Sequence, residues 1–136
     1  MGTLQDIWIL DESGATIYSR VFDPKVNEQL FGALMSALNQ FAEQVSEGGI
    51  SSFELSDTRF NILKKKDYLF IANSESGKNK KAKKELNKIC DTFFDLYGQK
   101  IESGDWDGDV TLFEDFGEHI EDSLKSTLKQ FKDAFW

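Results

Sequence analysis

The sequence predicts a three-layer α/β/α sandwich, an α/β (α+β) fold on a five-stranded, mainly antiparallel sheet. Three observations predict it. Ile7-Trp8-Ile9-Leu10 and Tyr68-Leu69-Phe70-Ile71-Ala72 are apolar at every residue, as strands covered on both faces are. Long segments with apolar residues at helical spacing follow each side of a strand-rich middle. Read in order, the elements run ββαβββαα, which puts helices on both faces of one sheet.

The first strand spans 6–12, and Asp11-Glu12-Ser13-Gly14 is a turn cluster. Ala15 to Phe22 returns as the second strand, with Ile17, Ser19 and Val21 on one face and Tyr18, Arg20 and Phe22 on the other. Asp23-Pro24 opens a helix, since Asp caps well, Pro suits the first helical position, and Glu28 meets the positive dipole end. Val26, Leu30, Leu34, Leu38, Phe41 and Val45 recur along it at helical spacing, and Gly48-Gly49 stops it.

Three strands come next. Residues 50–57 alternate through Phe53 and Leu55, as an edge strand does; 59–64 carry Phe60 and Ile62 on one face; the turn Lys65-Lys66-Asp67 leads into the apolar run 68–73. A second helix covers 79–97, with Ala82, Leu86, Ile89, Phe93 and Leu96 as its stripe and Gly98 as its terminator. Residues 99–109 form an acidic loop. A last helix over 111–134 carries Phe113, Phe116, Ile120, Leu124, Leu128, Phe131 and Phe135, with Gly117 as a bend or as its true start. The all-apolar first and fifth strands belong at the centre, giving the order 2-1-5-4-3 with one helix on one face and two on the other. This arrangement makes the first and fifth strands parallel unless the crossover is arranged differently.

A chain of 136 residues, 40% hydrophobic and 13% aromatic, fits one globular domain spanning 1–136. The net charge of −8 disfavours binding to nucleic-acid phosphates. One cysteine, Cys90, makes no intrachain disulfide. The N-terminus Met1-Gly2-Thr3-Leu4-Gln5-Asp6 has no signal-peptide pattern, and Asp6 stands where a myristoylation signal wants Ser or Thr. No run approaches the roughly 18 apolar residues of a membrane span. The expectation is a cytoplasmic protein.

This order of elements resembles the longin domain, a profilin-like α/β/α sandwich. The resemblance starts at Ile7-Trp8-Ile9-Leu10-Asp11-Glu12-Ser13-Gly14-Ala15-Thr16-Ile17-Tyr18-Ser19-Arg20, an apolar strand, an acidic-Gly turn and a return strand. It continues through the meander from Phe53-Glu54-Leu55 to Tyr68-Leu69-Phe70-Ile71-Ala72-Asn73 and the helix at 79–97. The related roadblock fold begins with a helix, which is lacking here. No heptad SNARE motif or membrane anchor follows the domain before Trp136. The resemblance implies a non-catalytic module without cofactor that binds a small GTPase, or another longin or roadblock protein, in membrane trafficking. It also implies a homo- or heterodimer, and free-standing longin-like proteins of this kind occur in archaea.

Candidate sites are few. Ala72-Asn73-Ser74-Glu75-Ser76-Gly77-Lys78-Asn79 sits between strand and helix as a phosphate-binding loop would, but has Ala for the first Gly and Asn for the metal-binding Ser or Thr. An ordinary loop is the better reading. Asp105, Asp107 and Asp109 have calcium-loop spacing, but Val110 and Phe116 replace the required Gly and Glu, so a solvated loop is preferred to a metal site. Cys90 and His119 have no partners visible in the sequence for catalysis.

Nine of the lysines fall within 64–88 against three acids, a net +6 there and −14 elsewhere. Lys64, Lys65, Lys66, Lys80, Lys81 and Lys84 are therefore candidates for contact with an acidic partner or a membrane surface. The competing account is a solvated helix face. Phe131, Phe135 and Trp136 are candidates for a partner-binding apolar end, against simple packing. The alternative function is a small-molecule sensor of PAS or profilin-like type. It is disfavoured because no strand shows a buried polar residue that orients a ligand.

Overall fold

The computed structural model describes residues 4–21, 28–46, 51–55, 58–75, 77, 79–104, 106 and 108–120. The strands are β1 (Ile7–Leu10), β2 (Thr16–Arg20), β3 (Ser52–Leu55), β4 (Thr58–Lys65) and β5 (Tyr68–Glu75). The helices are α1 (Glu28–Val45), α2 (Asn79–Glu102) and the short α3 (Phe116–His119), preceded by a 3-10 turn at Val110–Phe113. The sheet order is β2-β1-β5-β4-β3, as expected.

Every neighbouring pair is antiparallel, including β1 with β5, where Ile7 faces Ala72 and Leu10 faces Leu69. The expected parallel pairing is corrected. β2 and β3 run the same way at opposite edges, so α1 is the crossover that returns the chain to the starting end. The meander β3-β4-β5 then reaches β1 from the opposite direction.

Two apolar layers hold the sandwich. On one face Trp8, Leu10, Ile62, Leu69 and Ile71 meet Met35 of α1, with Phe31, Leu38, Phe53 and Phe60 around them. Trp8 stacks on Phe31 at 4.3 Å, and Phe53 on Phe60 at 4.8 Å. On the other face Ile7, Ile9, Phe70 and Ala72 pack under Ala82, Leu86, Ile89, Cys90, Phe93 and Tyr97 of α2, and Phe113, Phe116 and Ile120 complete the layer. Burial of β1 and β5 on both faces accounts for their uninterrupted apolar sequence.

Several expectations shift by one residue or more. The β1–β2 register slips between Ile9 and Leu10, so Ile17 is a bulged residue, and both Ile17 and Tyr18 join the α2 layer. The strict alternation expected for β2 fails there, because an extra residue reverses the phase of all that follows. Helix α2 runs through Gly98 and ends near Gly104, whose φ of +81° suits a helix terminus. Leu96 is 44% exposed, and Tyr97 takes its place inside. The last helix is shorter than expected within the described residues, where Phe113, Phe116 and Ile120 are buried as expected. The expected helix cap at Asp23-Pro24, its stop at Gly48-Gly49 and the stretch 121–134 lie outside the described residues.

Helix α1 carries the largest correction. Of its expected stripe, Leu38 packs against the sheet, Leu30, Leu34, Phe41 and Val45 do not, and Val26 lies outside the described residues. The helix buries Met35 and Asn39, and partly Phe31, Leu38 and Ala42. Gly32 decides this phase, since a Cβ there would stand 2.6 Å from Thr16 Oγ1 and 3.0 Å from the Gly14 carbonyl oxygen. Only a face with no side chain at that point can approach the β1–β2 turn so closely. Gln29 anchors the same end, accepting from the Thr16 amide at 3.2 Å and donating to the Thr16 carbonyl at 3.1 Å.

Candidate functional site

The outer face of α1 is the most distinctive surface of the molecule. Leu30 is 65% exposed, Leu34 60%, Phe41 66% and Val45 74%, and Ala33 and Ala37 lie exposed between them. No charged residue occurs from Gln29 to Ala42. Glu43, near the end, turns to the sheet side, where it accepts from Lys64 Nζ at 2.7 Å and from Asn39 Nδ2 at 3.0 Å. These two bonds hold its carboxyl below the usual carboxylate range. Sequence reasoning located these apolar residues but not their exposure; the second apolar set at 31, 35, 38 and 42 was the signal that the helix has two such faces.

The lysine candidates divide. Lys64 reaches α1 as above, Lys65 Nζ lies 2.9 Å from Asp91 Oδ1, and Lys66 Nζ lies 2.6 Å from Glu102 Oε1, with its ammonium 5.0 Å from the Phe94 ring centroid. These three tie the β4–β5 turn to both helical layers. Lys80, Lys81 and Lys84 are exposed in the first turns of α2, at the other end of β5. An eight-residue strand separates the groups, roughly 25 Å at about 3.3 Å per residue. Phe131, Phe135 and Trp136 lie outside the described residues, as do Asp105, Asp107 and Lys78 of the loops considered above. Asp109 uses its carboxylate to cap the 3-10 turn, accepting from the Thr111 amide at 3.0 Å.

Polar groups do lie inside the sheet, contrary to expectation. Asn61 on β4 is 1% exposed and Ser74 on β5 is fully buried, and neither side chain has a hydrogen-bond partner. The alternation Phe60-Asn61-Ile62 reads as a wet face, but α2 covers that face. Asn73, on the other side, is paired: its Oδ1 accepts from the Asp6 amide at 2.7 Å and its Nδ2 donates to Asp6 Oδ2 at 2.9 Å, pinning the N-terminal segment to β5.

Cys90 is 1% exposed, and burial pushes its thiol up to about 11, the opposite of an activated nucleophile. His119 Nε2 stands 3.9 Å from Asp115 Oδ2 in the same helical turn. Among the described residues no three His, Cys, Asp or Glu side chains converge as metal ligands, and no helix is long and apolar enough to cross a membrane.

A five-stranded antiparallel sheet between α1 and the α2–α3 layer, opened by a hairpin and closed by a meander, defines a longin-type domain. The family model for the first longin domain of FUZ, MON1 and HPS1 matches residues 5–103, and the chain belongs to that family. A comparison with curated proteins finds no match. Among solved structures, MglB of Myxococcus xanthus is similar with a TM-score of 0.50 at 12% identity, over 66% of this chain and 77% of MglB. A roadblock/LC7 domain from Streptomyces avermitilis matches with a TM-score of 0.44 at 16% identity, over 55% of this chain and 68% of that one. At 12% identity the likeness to MglB is one of fold.

Proposed function

We propose that the chain is a non-catalytic interaction module that binds a small GTPase, or another longin or roadblock protein, as a regulator or scaffold in membrane trafficking. The observation that carries this reading is the exposed, charge-free outer face of α1 among the described residues. A monomer rarely leaves a contiguous apolar patch of this kind facing water without a partner for it. Membership in the longin family supports the same reading, since the family resemblance implies partners of this class. The exposed lysines Lys80, Lys81 and Lys84 add a positive region suited to an acidic partner or to a peripheral contact with an anionic membrane. Phe131, Phe135 and Trp136 are proposed as a second apolar contact; replacing Phe135 and Trp136 by Ser should leave cooperative unfolding intact. A cytoplasmic site of action is part of the proposal.

The test is a pull-down from host lysate with purified protein, run with GDP and with a non-hydrolysable GTP analogue. Recovery of a small GTPase in one nucleotide state is the expected result. Recovery of a longin or roadblock protein in both states assigns a structural role instead. Recovery of neither overturns the reading.

A second reading, a small-molecule sensor, gains from one observation: the unpartnered, buried Asn61 and Ser74 beneath α2. Buried polar groups without partners are the kind that orient a ligand. A compound that raises the melting temperature of the wild type but not of Asn61→Val would favour it. Failure of every compound in a metabolite set would remove it.

A further inference from the structure

We infer that the outer face of the N-terminal half of α2 docks on an anionic lipid bilayer and thereby turns the α1 face towards solution. This rests on the peripheral membrane contact within the proposed function and assigns its surface, its ligand and its orientation. Lys80, Lys84 and Lys88 stand at i, i+4 and i+8 and form one row along the helix. Lys81 and Lys83 flank the row, and all five are exposed. Ala82, Leu86 and Ile89, on the other side of the helix, are buried against the sheet. Among the described residues none of the five has an acidic partner, whereas Lys64, Lys65 and Lys66 each have one. Helix electrostatics disfavour this placement. The first turn of α2 holds no acid, and cations near the positive end of the helix dipole cost stability. An anionic surface lying against the row offsets that cost.

The chemistry of the face selects lipid over protein. Every cation on it is a lysine, and the two arginines of the chain lie elsewhere, with Arg59 bound to Glu54 and Ser52. Arginine suits fixed, bidentate recognition of a carboxylate, whereas lysine is a point charge on a flexible stem, suited to a diffuse field. A protein interface also needs a buried apolar or aromatic anchor, and from Lys80 to Asp95 no large hydrophobic residue is exposed. The net charge of −8 does not oppose this docking. Glu75 and the half-buried Glu85 are the acids nearest the row in sequence, two against five lysines. Asp91 is tied to Lys65. Asp95 stands roughly 10 Å along the helix from Lys88 at about 1.5 Å per residue, beyond the ~8 Å screening length of physiological salt. Because α1 and α2 cover opposite faces of the sheet, a chain seated through α2 holds Leu34, Phe41 and Val45 on the side away from lipid.

The experiment uses the full chain with vesicles of phosphatidylcholine alone, or of an equal mixture with phosphatidylglycerol. Co-sedimentation compares the wild type with Lys84→Gln, with Lys80→Gln/Lys84→Gln, and with Lys100→Gln, which removes an exposed charge at the far end of α2. The inference expects binding to the mixed vesicles only, released by sodium chloride. Lys84→Gln should lose about five-fold in partition and the double variant about 25-fold, with Lys100→Gln unchanged. Maleimide labelling reads the orientation. Asn87→Cys, exposed beside the row, should be shielded by the mixed vesicles, and Ala37→Cys on α1 should not. The native Cys90 is buried and serves as the unreactive control. Absence of binding to the mixture overturns the inference, as does equal binding to phosphatidylcholine alone. So does an equal loss in Lys84→Gln and Lys100→Gln, which reports net charge alone, or shielding of Ala37→Cys in place of Asn87→Cys. The lysate pull-down is scored separately. Vesicle binding with an empty pull-down keeps this inference and removes the protein partner; a recovered GTPase without vesicle binding does the reverse.

Discussion

Gly32 and Gly98 are both helical and both buried, yet a methyl group added at each meets different surroundings. At Gly32 the new carbon would press on Thr16 Oγ1 and the Gly14 carbonyl, at 2.6 and 3.0 Å, and the carbonyl cannot retreat without moving the hairpin. Gly32→Ala should therefore lose about 1–3 kcal/mol in urea unfolding. At Gly98 the nearest atom is Phe94 Cβ at 3.4 Å, an ordinary contact, and Gly98→Ala should gain about 0.5–1 kcal/mol by favouring the helix. Cys90 gives a pH signature. Its pKa is raised by burial from 9.0 to about 11 in the folded chain, so its contribution to stability is complete below pH 9 and is lost as pH rises through about 11. Burial raises Tyr18, Tyr68 and Tyr97 in the same direction. The urea midpoint should fall over that alkaline window, and Cys90→Val should flatten the fall.

At the scale of elements, β1, β5 and the sheet order were legible because strands buried on both faces leave no ambiguity of phase. Helix α1 was not, since it carries two apolar sets, 30-34-41-45 and 31-35-38-42, on different sides. Periodicity finds both and cannot rank them. The choice is tertiary, made by Gly32 against the hairpin and by Phe31 on Trp8. The same limit explains why the candidate site was read as a structural stripe. The bulge at Ile17 is a register event, and α2 continues through Gly98 because a single glycine weakens a helix without ending it. Besides the buried Phe113, Phe116 and Ile120, two side-chain hydrogen bonds among the described residues hold the segment after α2. Tyr97 Oη donates to Asp115 Oδ1 at 2.8 Å, and Trp106 Nε1 donates to the Asp109 carbonyl at 3.0 Å. Tyr97→Phe keeps the ring among Phe93, Phe113 and Phe116 and removes the bond. It should cost about 1 kcal/mol and raise the rate of proteolytic cleavage within 103–115.

For the molecule as a whole, an acidic chain with one charge-free helix face leads to an unusual salt response. Screening weakens the repulsion between two −8 chains and does nothing to an apolar seam. Any association of two chains through that face should therefore strengthen as sodium chloride rises, whereas an interface held by ion pairs would loosen. Sedimentation at low and high salt checks this. The central pairing has a further consequence, for synthesis. β1 closes only on β5, Ile7 against Ala72, so its second neighbour is made about 60 residues later, on the order of 3–12 s at ribosomal rates of ~5–20 residues per second. Throughout that interval Ile7-Trp8-Ile9-Leu10 has its hairpin partner on one side and an open edge on the other. Within this domain the most apolar strand is thus translated before its second neighbour and sealed late, which leaves the ribosome-bound hairpin open to chaperones.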